Sequence, residues 1–468
     1  MDEQKNVRED GKDLYLKELR EAGDDIEEVI AKAVNLSSSR GMRVARFLHR
    51  LRGRGKTQND PMYEDIIEPL KRRAEKIARA TGGDVDQTRE IKYEPLVSVP
   101  ECRCLDEKYT KFDVISLCGE TESSVKEALG IFTEKGHRVY SFGVAESRES
   151  LESRLIREGV RDALVIGDGA SENAEYLKDK YGFSIVSESD VKARGAENFV
   201  AECRNLFPKV SVIVLCYNQL EYTKQCVKSV LENTAYPNYE LVLVDNASTD
   251  GTAEWLGTLS GDDRIKTVVN RENRGFAGGN NDGIKASDGD YFVLLNNDTL
   301  VTRGWLTGLV KWVSRKDDRV GLAGPVTNSI GNEAMINLGY FKKVRKMPRL
   351  AYGYTAKNMG NEYPHNGILA MFCVIFSREL TEKIGLLDEG YGVGMFEDDD
   401  YSTSAKKAGY RLVMAEDVFV HHYGSVSFKK LEDEKYKALF EKNKGYYEKK
   451  WNSGWKMPHY RPGVRPEI

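Results

Sequence analysis

Three clusters of acidic and amide side chains carry the residue types in this sequence that could do chemistry. Asn296-Asn297-Asp298 follows the apolar run Tyr291-Phe292-Val293-Leu294-Leu295. It therefore reads as the end of a buried strand that delivers one carboxylate and two amides to a sheet edge. A strand-end carboxylate among small polar groups suits a hard divalent cation that also holds phosphate oxygens. Asn-Asn-Asp is equally ordinary turn chemistry, so its neighbours must decide. Asp245 ends a second apolar run, Leu241-Val242-Leu243-Val244, and opens Asp245-Asn246-Ala247-Ser248-Thr249-Asp250-Gly251. Here Asp250 has a plain alternative as a helix-start cap. Glu397-Asp398-Asp399-Asp400 follows a glycine-rich entry from Gly390 to Gly394. Four successive acids repel one another, which should raise at least one pKa towards that of a working base. Their alternative is an acidic first helical turn favoured by the macrodipole.

The elements that must position these groups follow a regular order. Strands are expected at Val210-Ser211-Val212-Ile213-Val214-Leu215-Cys216, ending in Tyr217-Asn218, at Leu241–Val244, at Ile265–Val269 and before Asn296. Helical spacers separate them, and one contains Asn273-Arg274-Gly275-Phe276-Ala277-Gly278-Gly279-Asn280-Asn281. Strands alternating with helices imply a parallel sheet whose ligands collect at the strands' carboxyl ends. Apart from the acidic run Glu397–Asp400, every polar cluster named so far follows such an end.

On five ordered motifs, the stretch from Val210 to Ser427 resembles the family 2 glycosyltransferases of the GT-A fold. The resemblance is greatest to bacterial cell-surface enzymes of the rhamnosyltransferase type. It implies an α/β fold with a GT-A Rossmann-like mixed sheet and an inverting transfer, by single displacement, from a UDP- or dTDP-sugar. The acceptor would be a hydroxyl of a glycan or a lipid-linked molecule, and the cofactor Mn²⁺ or Mg²⁺. Carried over residue by residue, it places Asp245 on the donor's base or ribose, Tyr217 against the base, and Asn218 in the loop that holds it. Gly275, with Gly278 and Gly279, would let backbone approach the donor, and Asn280 would cap the following helix. Asn296 and Asn297 would face the donor, and Asp298 would bind the metal. His421 is a further expected ligand, with the choice between His421 and His422 left open. Asp398 is the expected base, Glu397 and Asp400 would lie on the acceptor side, and Asp400 would orient or cap. Two departures stand out. Asn296 replaces the first acid of the usual Asp-x-Asp, and Ser404 stands where the family pattern has an arginine, leaving Lys406 or Lys407 to compensate.

Composition bounds the remaining possibilities. The 468 residues carry 70 basic and 74 acidic side chains, so no global field recruits nucleic acid. Seven cysteines, an odd number with only Cys102 and Cys104 close together, favour a reduced cytosolic chain. No apolar run approaches the roughly 20 residues needed to span a bilayer. Processive members of the family usually carry such spans and a Gln-x-x-Arg-Trp motif. Without either, this chain is expected to add one sugar or a few.

Three regions are expected. Residues 1–90 read as a helical, basic N-terminal region, with apolar spacing over 12–35 and a helix that starts at Asp60-Pro61. Within it, Arg40–Lys56 has Val44, Phe47, Leu48 and Leu51 on one face and Arg43, Arg46, Arg50 and Arg54 opposite. Such a helix could rest on anionic lipid at the inner membrane face, or pack against its own domain. Residues 105–205 read as a small Rossmann-like accessory unit without a dinucleotide fingerprint. Residues 208–455 would form the GT-A domain, closed by a charged helix near Leu431–Trp451. Two other functions remain open from sequence: a non-catalytic GT-A-like binding subunit, and a nucleotidyltransferase. The second would need a basic glycine-rich loop, which Val214-Leu215-Cys216-Tyr217-Asn218 does not supply.

Overall fold

Apolar runs become strands in two sheets in the computed structural model. It describes residues 108–462 and 464, except 119–122, 144–145, 169–170, 316–317, 341–343, 366 and 425–432. All of them belong to one compact unit, Val97–Ile468. The expectations for 12–35, Arg40–Lys56, the Asp60 helix and Cys102–Cys104 lie outside the described residues.

The first sheet is the expected small unit. Its strands are β1 (Asp113–Ser116), β2 (Val139–Ser141), β3 (Ala163–Ile166) and β4 (Ser184–Val186). They are all parallel, in the order β2-β1-β3-β4. The connecting helices are α1 (Ser123–Glu134), α2 (Arg148–Glu158) and α3 (Glu172–Tyr181). Ser147 and Ser171 cap α2 and α3 by accepting from Ser150 and Ala174 amides, and left-handed Gly159 and Gly182 end them. These are the helix punctuation marks that sequence supplies most directly. Two short helices, α4 (Glu188–Arg194) and α5 (Ala196–Glu202), lead out of the unit.

The main sheet has nine strands: β5 (Val210–Cys216), β6 (Tyr239–Asp245), β7 (Ile265–Val269), β8 (Tyr291–Asn296), β9 (Thr299–Val301), β10 (Val320–Val326), β11 (Glu362–Tyr363), β12 (Cys373–Ser377) and β13 (Arg411–His422). Its order is β11-β13-β10-β12-β8-β5-β6-β7, with β9 paired to β13. Strands β5 to β8 run parallel, whereas β12 is antiparallel to both β8 and β10. The helices are α6 (Leu220–Asn233), α7 (Thr252–Gly257), α8 (Gly275–Lys285), α9 (Trp305–Val313), α10 (Met347–Lys357), α11 (Arg378–Ile384), α12 (Glu397–Lys407) and α13 (Asp433–Trp451). Strand β6 is buried along its whole length, as a parallel strand covered on both faces must be. The result is a mixed α/β sheet, parallel from β5 to β8 and antiparallel at β12.

Register sets up the site. Cys216 pairs with Asp245, Leu215 with Asn296, and Cys373 with Leu295. The ends of β5, β6 and β8 and the entry to β12 therefore share one edge. On the other side of Asp298, Thr299 pairs with His422 and Leu300 with His421.

The two sheets are not loosely tethered. One apolar cluster runs from Val114, Phe132 and Leu164 of the small unit to Val212, Trp305 and Leu309 of the main one. At the seam, Lys311 pairs with Asp417 in full burial, Trp312 Nε1 donates to Asp417 at 3.0 Å, and Lys311 Nζ donates to the Lys180 carbonyl at 3.0 Å. The Arg161 guanidinium lies 4.5 Å from the centre of the Tyr352 ring. A Cβ on left-handed Gly304 would collide with the Arg161 side chain, so glycine is what admits the arginine there. Among the described residues, no helix is long and apolar enough to cross a membrane.

Candidate active site

At the β5 and β6 ends, two loops are stitched by side chains. Asn218 lies in the left-handed region at φ 55°. Its amide donates to Ser248 Oγ at 2.8 Å, and its Oδ1 accepts from the Thr249 amide at 2.8 Å. These bonds tie the loop after β5 to the loop after β6. Asp245 is buried and accepts from the Ser248 amide at 3.3 Å. Tyr217, the residue before Asn218, is 41% exposed. Asp250 accepts from the Leu220 amide at 2.9 Å and from Thr252, so it caps helices, as its plain reading holds. Asn246 was not singled out from sequence, yet it organises the next turn. Buried, it accepts from the Arg274 amide at 3.0 Å and donates to Asn273 Oδ1 at 2.9 Å and the Gly275 carbonyl at 3.1 Å.

Two sequence expectations, for Asn280 and Asn297, need correction here. Asn280 caps nothing: it sits inside α8, buried, and donates to the Phe276 carbonyl one turn back at 2.9 Å. Two of the glycines are also required by packing. A Cβ on Gly279 would strike Leu215, and one on left-handed Gly275 would strike the Gly392 carbonyl. Gly275 thus lets α8 meet the glycine-rich loop, where the Phe276 amide donates to the Val393 carbonyl at 3.2 Å. Asn297 is likewise turned into the fold, donating to Thr223 Oγ1 at 2.9 Å. Both strand-end amides are half-buried, but Asn297 is the one with its side chain bonded within the fold.

Asp298 is buried, and His422 Nε2 stands 3.2 Å from its Oδ1. His422 Nδ1 lies 2.8 Å from the Ser329 carbonyl. A carbonyl can only accept, so this contact assigns the ring hydrogen to Nδ1 and leaves a lone pair on Nε2. A lone pair facing a carboxylate at that distance is repulsive until a cation or a proton comes between them. A carbonyl-oriented imidazole beside a carboxylate is also the usual arrangement of a metal-ligating histidine. The pair therefore fits a divalent ion. Among the described residues no third His, Cys, Asp or Glu joins it, so phosphate and water oxygens would complete the shell. His421, the residue expected from sequence, is placed differently. Its Nδ1 lies 2.6 Å from Tyr340 Oη, and burial pulls its pKa down to about 4. The structure sets His422, not His421, against Asp298.

The four acids open α12 as an acidic first turn. Met395 and Phe396 precede it with φ of 80° and 78°, two adjacent strained residues that surrounding structure must hold. Asn443 of α13 holds them, donating to the Tyr391 carbonyl at 2.9 Å and the Gly394 carbonyl at 2.8 Å. Asp400 accepts from Tyr391 Oη at 3.0 Å, Lys450 Nζ at 2.9 Å and Trp451 Nε1 at 2.8 Å. So engaged, it orients the loop and is not presented to an acceptor, which corrects its expected acceptor contact. Asp399 accepts from Trp455 Nε1 at 2.7 Å. Asp398 is the one half-exposed member of the four. Burial holds the Asp398 and Asp399 carboxyls above their ordinary range, and their mutual repulsion adds to it for Asp399. Buried Glu397 is pushed up to about 8 by desolvation first, then by Asp398 and Asp400. Lys407 lies over the Trp451 ring at 4.4 Å, and burial lowers the Lys406 amine.

One segment joins the two halves. The Leu369 amide donates to Ser402 Oγ of α12 at 3.2 Å, while the Phe372 carbonyl accepts from the Asn296 amide at 2.8 Å. The Phe372 ring stacks on His422 at 5.1 Å.

Residues 211–385 match the family described as glycosyl transferase family 2. An uncharacterised protein of Sinorhizobium fredii is 27% identical over 284 residues, 56% of this chain and 29% of its own length. A putative teichuronic acid biosynthesis glycosyltransferase of Bacillus subtilis, TuaG, is 38% identical over 95 residues, 20% of this chain and 37% of its own. The chain thus spans about a third of the length of these relatives. Among solved structures, a Pyrobaculum calidifontis mannosyltransferase in complex with GDP-Man and Mn²⁺ superposes with a TM-score of 0.39 at 23% identity, covering 54% of this chain and 66% of that one. The strand edge that gathers Asp245, Asp298 and His422 lies beside and within the matched stretch, and the chain carries a domain of glycosyltransferase family 2.

Proposed function

We propose that the chain is an inverting glycosyltransferase that moves a sugar from a UDP- or dTDP-sugar to a hydroxyl of a glycan or lipid-linked acceptor in cell-surface glycan synthesis. The observation that carries this reading is the Asp298–His422 pair, standing at the same sheet edge as Asp245. Asp245, Tyr217 and Asn296 bind the nucleoside and ribose. Asp298 and His422 would hold Mn²⁺ or Mg²⁺, whose charge, when bound, neutralises the diphosphate leaving group. Asp398 takes the proton of the acceptor hydroxyl as its oxygen attacks C1. The new C1–O bond forms as the bond from C1 to the diphosphate oxygen breaks, and one displacement inverts the centre. The similarity to TuaG, a putative teichuronic acid biosynthesis glycosyltransferase, supports a cell-surface polymer as the product.

The proposal keeps the division into residues 1–90, 105–205 and 208–455. Its cytoplasmic setting, with Arg40–Lys56 resting on the inner membrane face, is part of the same reading. Screening a panel of nucleotide sugars for nucleotide release, with and without Mn²⁺, tests it. Release of UDP or dTDP only with metal and acceptor is expected. No release from any donor would overturn it.

A further inference from the structure

A cavity of about 480 Å³ lies between α6, β9, the start of α10 and the turn Val344–Lys346. That volume suits a small molecule and is too small for a folded partner. No residue of the acidic helix lines it. Its wall on α6 is one helical stripe, Gln225, Lys228, Ser229, Glu232 and Asn233, at spacings that share a face.

The charge in this cavity is unbalanced. Lys228 and Arg345 are exposed, and neither meets a carboxylate among the described residues. Arg303 also lines the cavity, its guanidinium 4.5 Å from the centre of the Tyr109 ring and its charge shared with buried Asp113 and Asp162. The cavity's one acid, Glu232, is engaged by Lys108 at 2.9 Å. Apolar surface from Leu300 and Met347 lies beside the cations. A pocket with cations on one wall and hydrocarbon on another favours an anion that carries an organic group.

The cavity also adjoins the strand-end site. Leu300 stands opposite His421 and two residues beyond Asp298, roughly 7 Å along an extended strand. Gln225 Oε1 accepts from Tyr423 Oη at 2.8 Å, and the Tyr423 amide donates to the Asp298 carbonyl at 2.9 Å.

We propose that this cavity binds a phosphate ester, held by Lys228 and Arg345, as the anchored end of the acceptor. The word acceptor rests on the transfer reaction proposed above; the binding itself does not. The phosphate is that of a sugar phosphate, free or carried on an isoprenoid lipid, so that a sugar hydroxyl remains for the transfer; the apolar wall favours the lipid-carried form.

Calorimetry on the full chain tests it, using farnesyl phosphate, glucose 1-phosphate and farnesol as probes. Farnesyl phosphate is expected to bind at least tenfold more tightly than farnesol. The double variant Lys228→Glu, Arg345→Glu should lose at least tenfold of that affinity. Both side chains are exposed, so its melting midpoint and its Mn²⁺-dependent UDP affinity should stay at wild-type values. Glucose 1-phosphate binding as tightly, with the same loss in the variant, supports the site with a soluble ligand. Binding of neither phosphate, or equal binding by wild type and variant, overturns it. Phosphate binding without any nucleotide binding would instead sink the transfer reading and leave this site standing.

Discussion

The strand-end half of the site and the acidic-helix half are built by different means. At the strand ends, each group follows directly on its own strand, and register alone brings Asp245, Asn296 and Asp298 to one edge. In the acidic helix, residues 388–400 take their environment from 443–455. Asn443, Lys450, Trp451 and Trp455 all reach back to hold the loop and its carboxylates. A local pattern places functional groups. Long-range closure sets how acidic they are.

The largest expected effect breaks this comparison on the side of the helix. Asp398→Asn keeps the side chain's shape and removes its capacity to take a proton. Transfer should fall by roughly two to four orders of magnitude, the usual worth of a positioned base. Mn²⁺-dependent UDP affinity should stay near wild type, because the donor groups lie on the other half. Asp399→Asn should lose far less, since Asp399 is already committed to Trp455. Steady-state rates and calorimetry on both variants decide it. A dead Asp399→Asn beside an active Asp398→Asn would shift the base by one residue.

On the strand-end side, Asp298→Ala and His422→Gln should each weaken metal-dependent nucleotide binding by roughly 10- to 100-fold. His421→Gln should do much less, because His421 faces Tyr340 rather than Asp298. Titrations with Mn²⁺ and UDP read all three. If His421→Gln proved the damaging change, the pairing seen at His422 would not be the functional one.

These two sets of variants also mark how far the sequence could be read. The strands β5, β6 and β8, their parallel run and the clusters at their ends were legible, because buried parallel strands are short apolar runs between polar turns. The antiparallel insertion of β12 between β8 and β10 was not, since an apolar run carries no direction. Asn280 and Asn297 were misread for a related reason. An amide's type says it will hydrogen-bond, but only the fold says whether its partner is the chain or a ligand. His421 and His422 are adjacent and alike in sequence, and the Ser329 carbonyl that distinguishes them lies 93 residues away. The seam between the two sheets includes buried polar residues, Arg161, Lys311 and Asp417, which pattern reading assigns to the surface.

A subtler effect concerns stability. The Glu397 carboxyl ordinarily titrates near 4.5 and is raised to about 8 when folded. For an acid raised in the folded state, the stabilising difference is complete below the unfolded pKa and is lost as pH rises through the folded one. Stability should therefore decline between pH 4.5 and 8, at up to roughly 1.4 kcal/mol per pH unit from this group. Asp399, also raised, acts in the same direction. Glu397→Gln, neutral at every pH, should flatten part of that slope. Urea midpoints from pH 5 to 9 check it, and an unchanged slope would show that Glu397 ionises freely.

The smallest expected effect tests the long-range half most directly. Trp455→Phe keeps an aromatic ring against Phe396 and Phe440 but removes the donor to Asp399. That hydrogen bond stabilises the charged form of the Asp398–Asp399 pair, so its loss should raise the pair's apparent pKa. A net bond of about 1 kcal/mol corresponds to roughly 0.7 pH unit. The alkaline rise in transfer rate should move upward by that amount, while the rate at its plateau and the affinity for UDP change little. Asn443→Ala offers the contrast. It frees the strained Met395-Phe396 turn, so it should lower the plateau itself. A profile that stayed in place in Trp455→Phe would make the C-terminal residues packing alone. The acidity of the base would then come from burial within α12, and the two halves of the site would be alike after all.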